Sequence, residues 1–366
     1  MQSKPKSRYH QARQRALREQ LDARKIPYFV VTKSENIFYL TGFRGSAGVV
    51  LFGPANSVLL IDPRYTIQAR EQAHGMEVRE VKVGLHQAAG KWLQKRRAKR
   101  IGFEDGRLTV GAFQRLRKEA PSGARWVRAG ELIEDLRMVK DDWETEQIRK
   151  ACHITAAAFT ETLTLVRPGV LERDLAIELD FRMRRMGAEA LAFETIVASG
   201  PRGALPHARP SAKVLKAGEF VIVDLGAILG GYAADMTRTV YLGYPGRRAR
   251  SLYQSLLHAQ EEAIASLCAN VSAGDVDAAA RRRLAGDHLD QYFTHSTGHG
   301  VGVEIHERPR LGKGEKARIP AGSIVTVEPG IYLEGFGGIR IEDTVLVGQY
   351  GVEILTPAAK DRWFTD

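Results

Sequence analysis

The segment FVIVDLGAILGGYAADMTRTVYL, residues 220–242, has the pattern of a strand, a glycine turn and a second strand. Asp224 and Asp235 lie eleven residues apart, and the midpoint between them falls between Leu229 and Gly230. A hairpin that turns at this midpoint would place the two carboxylates opposite each other on one face, with Cβ atoms about 5 Å apart. Because two unpaired carboxylates at that distance repel each other, we expect a cation between them.

A second segment near the C-terminus repeats this arrangement. VTVEPGIYLEGFGGIRIEDTV, residues 325–345, contains Glu328 and Glu342 fourteen residues apart, with Gly335 at the midpoint. Strand alternation places Arg340 on the same face as Glu342. One acidic pair beside a turn is usually solvated. Two such pairs at the ends of apolar strands indicate a site instead.

Three of the chain's ten histidines lie in the glycine-rich segment THSTGHGVGVEIHE, residues 294–307: they are His295, His299 and His306. Four carboxylates and one imidazole form a hard, oxygen-rich ligand set, which suits Mn²⁺, Co²⁺, Fe²⁺ or Zn²⁺. Four negative charges are too many for one divalent ion. Two ions about 3.5–4 Å apart, bridged by carboxylates and a hydroxide, balance them better.

The length of 366 residues predicts two domains. We place an α/β domain at 1–136, because the apolar runs at 28–32, 49–53 and 57–62 alternate with stretches of helical spacing. We place an α+β domain at 137–366. Helical patterns over 84–100, 139–166, 172–187 and 251–268 connect the strand-rich segments of the two domains.

Composition excludes several classes of protein. No stretch approaches the roughly 18 apolar residues of a membrane helix. The two cysteines, Cys152 and Cys268, lie far apart in the sequence, which favours free thiols in a reducing compartment and therefore the cytoplasm. The net charge is +11, but the basic runs lack the interleaved aromatic residues of a single-strand binding groove. We therefore expect no nucleic-acid partner.

Five residues resemble, in their order and spacing, the metal ligands of the pita-bread metallopeptidases: Asp224, Asp235, His299, Glu328 and Glu342. GALPHARPS (203–211) and HSTGHGVGVEIHE (295–307) resemble the histidine motifs of the proline-specific branch, and VEPGIY and GIRIEDT resemble its two glutamate motifs. The resemblance covers the whole chain. It implies an N-terminal α/β domain, a catalytic domain of the creatinase/aminopeptidase-like pita-bread fold, and a homodimer.

The resemblance also implies roles for individual residues. It implies two divalent ions, with manganese favoured over cobalt, zinc and iron, held by Asp224, Asp235, His299, Glu328 and Glu342. His207 and His306 would contact the substrate, and Glu328 would be the general base and acid. For His295 it implies support of the site wall or of the substrate. For Arg310 and Arg340 we consider support of the ligands, binding of the substrate carboxylate, or a surface ion pair.

The N-terminal motifs indicate which member of the proline-specific branch the chain resembles more. YLTGFRGSAGVVL (39–51) and DPRYTIQA (62–69) resemble aminopeptidase P, which removes the residue before a proline at the second position of a peptide. The family form DGRY here reads DPRY. Prolidase, which cleaves only Xaa-Pro dipeptides, is the alternative, whereas methionine aminopeptidase lacks such a domain. A more distant alternative is a non-catalytic relative that binds peptides or nucleic acid, which the complete ligand set disfavours.

Overall fold

The computed structural model describes residues 4–361 and 363–365. The chain divides into two compact units, Met1–Arg137 and Met138–Asp366. None of the helices in the described part of the chain combines the length and apolar character that crossing a bilayer requires.

The first unit is a six-stranded mixed sheet with helices. The strands are Tyr28–Val31 (β1), Gly48–Phe52 (β2), Ser57–Ile61 (β3), Glu77–Glu80 (β4), Arg100–Phe103 (β5) and Arg125–Arg128 (β6). The helices are Lys4–Ala23 (α1), Ser34–Thr41 (α2), Thr66–Gln72 (α3), Leu85–Lys95 (α4), Val110–Glu119 (α5) and Leu132–Arg137 (α6). The strand order is β4-β3-β2-β1-β5-β6, and the buried centre of the sheet comes from the apolar runs that predicted it.

The helices of this unit differ from the prediction in two respects. The helix predicted over 84–100 is too long, because Arg97 adopts the left-handed region at φ 51° and the chain then enters β5. Helices α2, α5 and α6 were not predicted. Helix α2 follows directly on Thr32 and Lys33, whose backbone N–H groups donate to the buried Glu104 carboxylate at 2.6 and 2.9 Å. A carboxylate at this end of a helix also interacts favourably with the helix dipole.

The second unit is α+β, as predicted. Its helices are Asp142–Thr162 (α7), Glu172–Arg185 (α8), Arg247–Ala265 (α9) and Ala273–Gly286 (α10). Its strands are Ala190–Leu191 (β7), Ile196–Ser199 (β8), Phe220–Leu225 (β9), Ala227–Leu229 (β10), Tyr232–Ala233 (β11), Met236–Tyr241 (β12), Gly298–Gly300 (β13), Glu307–Leu311 (β14), Ile324–Val327 (β15), Gly330–Leu333 (β16), Gly337–Arg340 (β17), Asp343–Val347 (β18) and Val352–Ile354 (β19).

The second unit has two similar halves. In the first, α7 and α8 pack on the sheet β12-β9-β8, through side chains such as Phe159, Leu179 and Val223. In the second, α9 and α10 pack on the sheet β14-β13-β15-β18-β19, through side chains such as Leu256 and Val345. The hairpins that carry the four predicted carboxylates extend from these two sheets.

Candidate metal centre

The first acidic hairpin differs in register from the prediction. Strands β9 and β12 pair with Asp224 opposite Thr237, so the expectation that Asp224 lies directly opposite Asp235 is wrong. The chain turns at Gly230 and Gly231, both with positive φ (61° and 81°), one residue later than the predicted midpoint. This shift moves the pairing by two positions. Asp235 is therefore a diagonal neighbour of Asp224 and stays on the same face.

The second acidic hairpin has the predicted register. Val327 pairs with Asp343 and Gly330 pairs with Arg340, which places Glu328 opposite Glu342 and centres the turn on Gly335. Side-chain hydrogen bonds join the two hairpins, and one of them links directly to a predicted ligand: the hydroxyl of Thr237 donates to Glu342 Oε2 at 2.7 Å.

The structure brings the five predicted ligands together. The carboxylates of Asp224, Asp235 and Glu342 are buried, and their oxygens lie within 4.8 Å of one another. His299 Nε2 lies 3.6 Å from Asp235 Oδ2 and 3.3 Å from Glu328 Oε1. The His299 imidazole therefore connects Glu328, the fourth carboxylate, to the other three through Asp235.

The chemistry of this cluster fits divalent ions. Asp224 Oδ1 and Glu342 Oε1 are buried and have no hydrogen-bond partner among the described residues. Burial, with the neighbouring carboxylates adding to it, raises the pKa of Asp235 and Glu342 well above the ordinary range. Buried carboxylate oxygens without partners are costly unless a cation binds them.

Arg340 is the guanidinium that contacts the cluster. It is 3% exposed, which excludes the surface ion pair considered for it. It donates to Asp224 Oδ2 at 2.6 Å, to the Tyr332 hydroxyl at 2.9 Å, to Thr237 Oγ1 at 3.0 Å and to the Pro206 carbonyl at 3.1 Å. These contacts occupy four of its five N–H donors, and the one that is left is too few for the two parallel hydrogen bonds by which a guanidinium binds a substrate carboxylate.

The remaining histidines surround this cluster. His295 Nε2 lies 2.8 Å from the hydroxyl of Tyr332, which connects it to Arg340. The rings of His299 and His306 meet edge to face with centroids 4.4 Å apart. Burial lowers the pKa of His295 and of His306; the charge of Arg340 lowers the pKa of His295 further, and that of His299 lowers the pKa of His306 further. His207 and His306 are exposed and therefore accessible to a substrate.

Arg310 lies beside the same cluster. It pairs with His299 across strands β13 and β14, so the two side chains leave the same face of the sheet. It is exposed, and it makes no ion pair or side-chain hydrogen bond with any residue in the described ranges. A free guanidinium therefore lies next to the predicted ligands.

Two side chains of the site, Thr237 and Tyr332, were not predicted from the sequence. Alternation from Asp235 to Thr237 could have placed the threonine on the ligand face. Tyr332 carries no comparable signal, because its role depends on contacts with His295 and Arg340 that only the folded hairpin makes.

The glycines around His299 are required by close packing. A Cβ atom on Gly298 would lie 1.9 Å from the Thr326 carbonyl oxygen, and one on Gly300 would lie 2.2 Å from the Arg308 carbonyl oxygen. The backbone that carries His299 thus packs directly against both neighbouring strands, which explains why these histidines lie in a glycine-rich segment.

We expect Gly298→Ala to lower the free energy of unfolding by about 3 kcal/mol, the upper end of ordinary overpacking. The new methyl group would collide with the backbone of β15, which cannot move as a flexible side chain can. Urea denaturation followed by circular dichroism would measure the loss. Gly351→Ala is the control, because its Cβ would meet nothing within 4 Å. Equal midpoints for the two variants would contradict the packing argument.

Comparisons with known proteins agree with this arrangement. Residues 146–349 match the model of metallopeptidase family M24, and residues 13–139 match the model of the creatinase/prolidase N-terminal domain. The chain is 33% identical over 343 residues to a protein named Xaa-Pro dipeptidase from Pyrococcus horikoshii, and the match covers 94% of this chain and 96% of that protein.

Solved structures resemble the whole chain. A structure described as Xaa-Pro dipeptidase from Bacillus anthracis has a TM-score of 0.94 and 35% identity, and covers 97% of this chain and 100% of its own. An X-Pro aminopeptidase from Thermotoga maritima has a TM-score of 0.86 and 37% identity, and covers 93% of this chain and 98% of its own.

Proposed function

Since the chain belongs to metallopeptidase family M24, we propose that it hydrolyses the peptide bond before a proline, with Xaa-Pro dipeptides as its preferred substrates. The observation that carries this proposal is the buried acidic cluster with unpartnered oxygens, bordered by the exposed side chains of His207, His306 and Arg310. The complete ligand set argues against a non-catalytic binding module.

The family implies divalent metal ions. We propose two ions, with manganese favoured, held by Asp224, Asp235, His299, Glu328 and Glu342. When bound, such ions polarise the scissile carbonyl and lower the pKa of a water molecule.

The protein's own residues would move the protons and hold the substrate. The Glu328 carboxylate would accept a proton from the attacking water and deliver it to the leaving imide nitrogen. A ring N–H of His306 would donate to the carbonyl oxygen as negative charge develops on it, and His207 would contact the substrate from the segment 203–211. A proline imide has no N–H, so the site must recognise other groups of the substrate.

Arg310 supports the preference for dipeptides. In an Xaa-Pro dipeptide the free carboxylate is close to the scissile bond, and a guanidinium can bind it through two parallel hydrogen bonds. A longer peptide offers a neutral amide at that position. The dipeptidase names of the Pyrococcus and Bacillus relatives agree with this preference. Aminopeptidase P activity is the second candidate, because the N-terminal motifs and the Thermotoga neighbour favour it.

The first test compares a dipeptide with a tripeptide. The purified protein is assayed for product release from Gly-Pro and from Arg-Pro-Pro, with Mn²⁺ added and after EDTA. We expect Gly-Pro to be cleaved faster and both activities to be lost with EDTA. Efficient cleavage of Arg-Pro-Pro would favour aminopeptidase P, and no cleavage with any divalent metal would contradict the proposal.

The same assay tests Arg310 directly. Gly-Pro and Gly-Pro-amide differ only in the carboxylate, so wild type should prefer Gly-Pro and Arg310→Met should lose that preference. The loss of one charge-assisted contact corresponds to about 10- to 100-fold in kcat/KM. Lys313→Met removes a nearby exposed positive charge and should keep the preference. An unchanged preference in Arg310→Met would show that another group binds the carboxylate.

A further inference from the structure

We propose that Glu172, the first residue of α8, is a positioning residue that fixes the segment 200–210 and, through it, the place of His207. We name residues 200–210 the His207 segment. The inference rests on the proposed function for what His207 does, but the anchoring itself is a property of the folded chain.

Five donors converge on the Glu172 carboxylate, which is fully buried at 0% exposure. Oε1 accepts the backbone N–H and the hydroxyl of Ser199, both at 2.8 Å. Oε2 accepts Arg202 Nε at 3.0 Å, the backbone N–H of Ser211 at 3.2 Å and the Ser211 hydroxyl at 2.7 Å. A carboxylate offers about four acceptor positions, so these five donors use its full accepting capacity.

The same contacts stabilise the ionised form of the Glu172 carboxylate. Burial alone would raise its pKa, but the hydroxyl and backbone donors of Ser211 and Ser199, together with the Arg202 guanidinium, hold the pKa below its usual range. Glu172 is therefore ionised at neutral pH, and each of its hydrogen bonds is charge-assisted.

The two serines lie at the two ends of the His207 segment. By binding both, one carboxylate closes the base of the segment, which removes conformational freedom that an open loop would keep. Lys213 adds to this closure, because its ammonium group contacts Ser199 Oγ at 2.7 Å and Glu219 Oε1 at 2.6 Å.

Between its ends, the His207 segment lies against the second acidic hairpin. A Cβ atom on Gly338 of β17 would lie 2.0 Å from the Gly203 carbonyl oxygen, so the two backbones are in direct contact. The Pro206 carbonyl accepts from Arg340, which also holds Asp224. With its base closed by Glu172, the segment has one resting place on β17, and this sets the position of the exposed His207.

The second half of this unit contains a similar contact. Asp277 of α10 is 1% exposed and accepts the backbone N–H of Thr297 at 3.1 Å and its hydroxyl at 2.9 Å. In both halves, a buried carboxylate on the second helix binds the hydroxyl residue directly before a glycine, Ser199 in the first and Thr297 in the second. Because the contact recurs at the base of both histidine-bearing segments, it belongs to the construction of the site walls.

The anchoring is tested without substrate or metal. Glu172→Gln keeps the shape but replaces one acceptor oxygen by an NH₂ group that faces donors. We expect backbone amide hydrogen exchange in the His207 segment to become at least about tenfold faster, which corresponds to the net contribution of one hydrogen bond. Exchange in α7 should be unchanged. Asp180→Asn is the matched control, since this carboxylate lies on the same helix and binds Thr195 instead.

A milder variant covers the case in which Glu172→Gln does not fold. Ser211→Ala removes one hydroxyl donor from Oε2 and leaves the other four contacts in place. It should accelerate exchange in the His207 segment in the same direction. Unchanged exchange in this segment for Ser211→Ala and for any folded Glu172→Gln would overturn the anchoring.

The role toward His207 is tested by a double-mutant cycle. On an Xaa-Pro substrate, Glu172→Gln should lower kcat/KM about tenfold, mainly through KM, but less than about twofold when His207 is already alanine. Ser211→Ala should show the same dependence on His207 with a smaller loss. Equal losses in both backgrounds would show that Glu172 does not act through His207. If the wild type cleaves no Xaa-Pro substrate, the proposed function fails, and exchange alone still decides the anchoring.

Discussion

Glu328→Gln is expected to lower kcat for Xaa-Pro hydrolysis by about a thousandfold, the middle of the range for loss of a general acid and base. Its side chain is 17% exposed, compared with 12% for Asp224 and 8% for Asp235. Glu328 is therefore the carboxylate that best reaches the open side of the cluster, where a water molecule and a substrate would meet. Glutamine has the same shape but cannot accept the proton.

The measurement is steady-state kinetics with Mn²⁺, alongside circular dichroism to verify the fold. The affinity and stoichiometry of Mn²⁺ binding, measured by titration calorimetry, distinguish loss of a metal ligand from loss of the general base. Glu334→Gln is the control, because this glutamate is exposed in the turn of the same hairpin and should retain full activity. A Glu328→Gln variant with kcat within about tenfold of wild type would contradict the assigned role.

The two acidic hairpins show which parts of such a site sequence spacing can determine. The Glu328–Glu342 pair was placed correctly, because the turn at Gly335 is centred on the midpoint of the spacing. For Asp224 and Asp235, two adjacent glycines could each form the turn, and spacing does not distinguish between them. The side chains still share a face, because a shift of two positions preserves the face of a strand whereas a shift of one reverses it.

Other parts of the site depend on contacts between residues far apart in the chain. Strand alternation predicted the face of the strand from which Arg340 projects but not that its side chain is buried. Its burial depends on contact with Asp224, which precedes it by 116 residues. Glu172 gave no signal of its own, since an acidic residue in the first turn of a helix is ordinarily a solvated partner of the helix dipole. Its donor Ser199 lies 27 residues further on. Such long-range partners are fixed by packing, which a local pattern does not contain.

Asp235→Asn is expected to stabilise the metal-free protein and to remove most of the stabilisation that Mn²⁺ gives to the wild type. Without a cation, buried carboxylates repel each other, and the Arg340 guanidinium compensates only Asp224 directly. An amide at position 235 removes one charge and offers an NH₂ donor to the unpartnered oxygen of a neighbour. Relieving a buried like-charge contact should raise the free energy of unfolding in EDTA by about 1–2 kcal/mol.

Thermal unfolding of both proteins, in EDTA and in excess Mn²⁺, measures these effects. For a unit of this size, 1 kcal/mol corresponds to about 2–4 °C in Tm. Wild type should gain about 4 kcal/mol for each bound ion when Mn²⁺ is a thousandfold above its Kd, because a ligand stabilises only the folded state that binds it. Asp290→Asn changes an exposed aspartate that is not one of the five ligands; it is the control for the loss of one charge and should leave both values unchanged.

The sign of the change in EDTA decides between two accounts of the cluster. A more stable variant means that the metal-free fold tolerates repulsion among its carboxylates, and that these residues are suited to cations at the expense of stability, as the unpartnered oxygens of Asp224 and Glu342 indicate. A less stable variant means that the carboxylates hold one another by shared protons, in agreement with the raised pKa values of Asp235 and Glu342. In that case an ion must displace those shared protons when it binds.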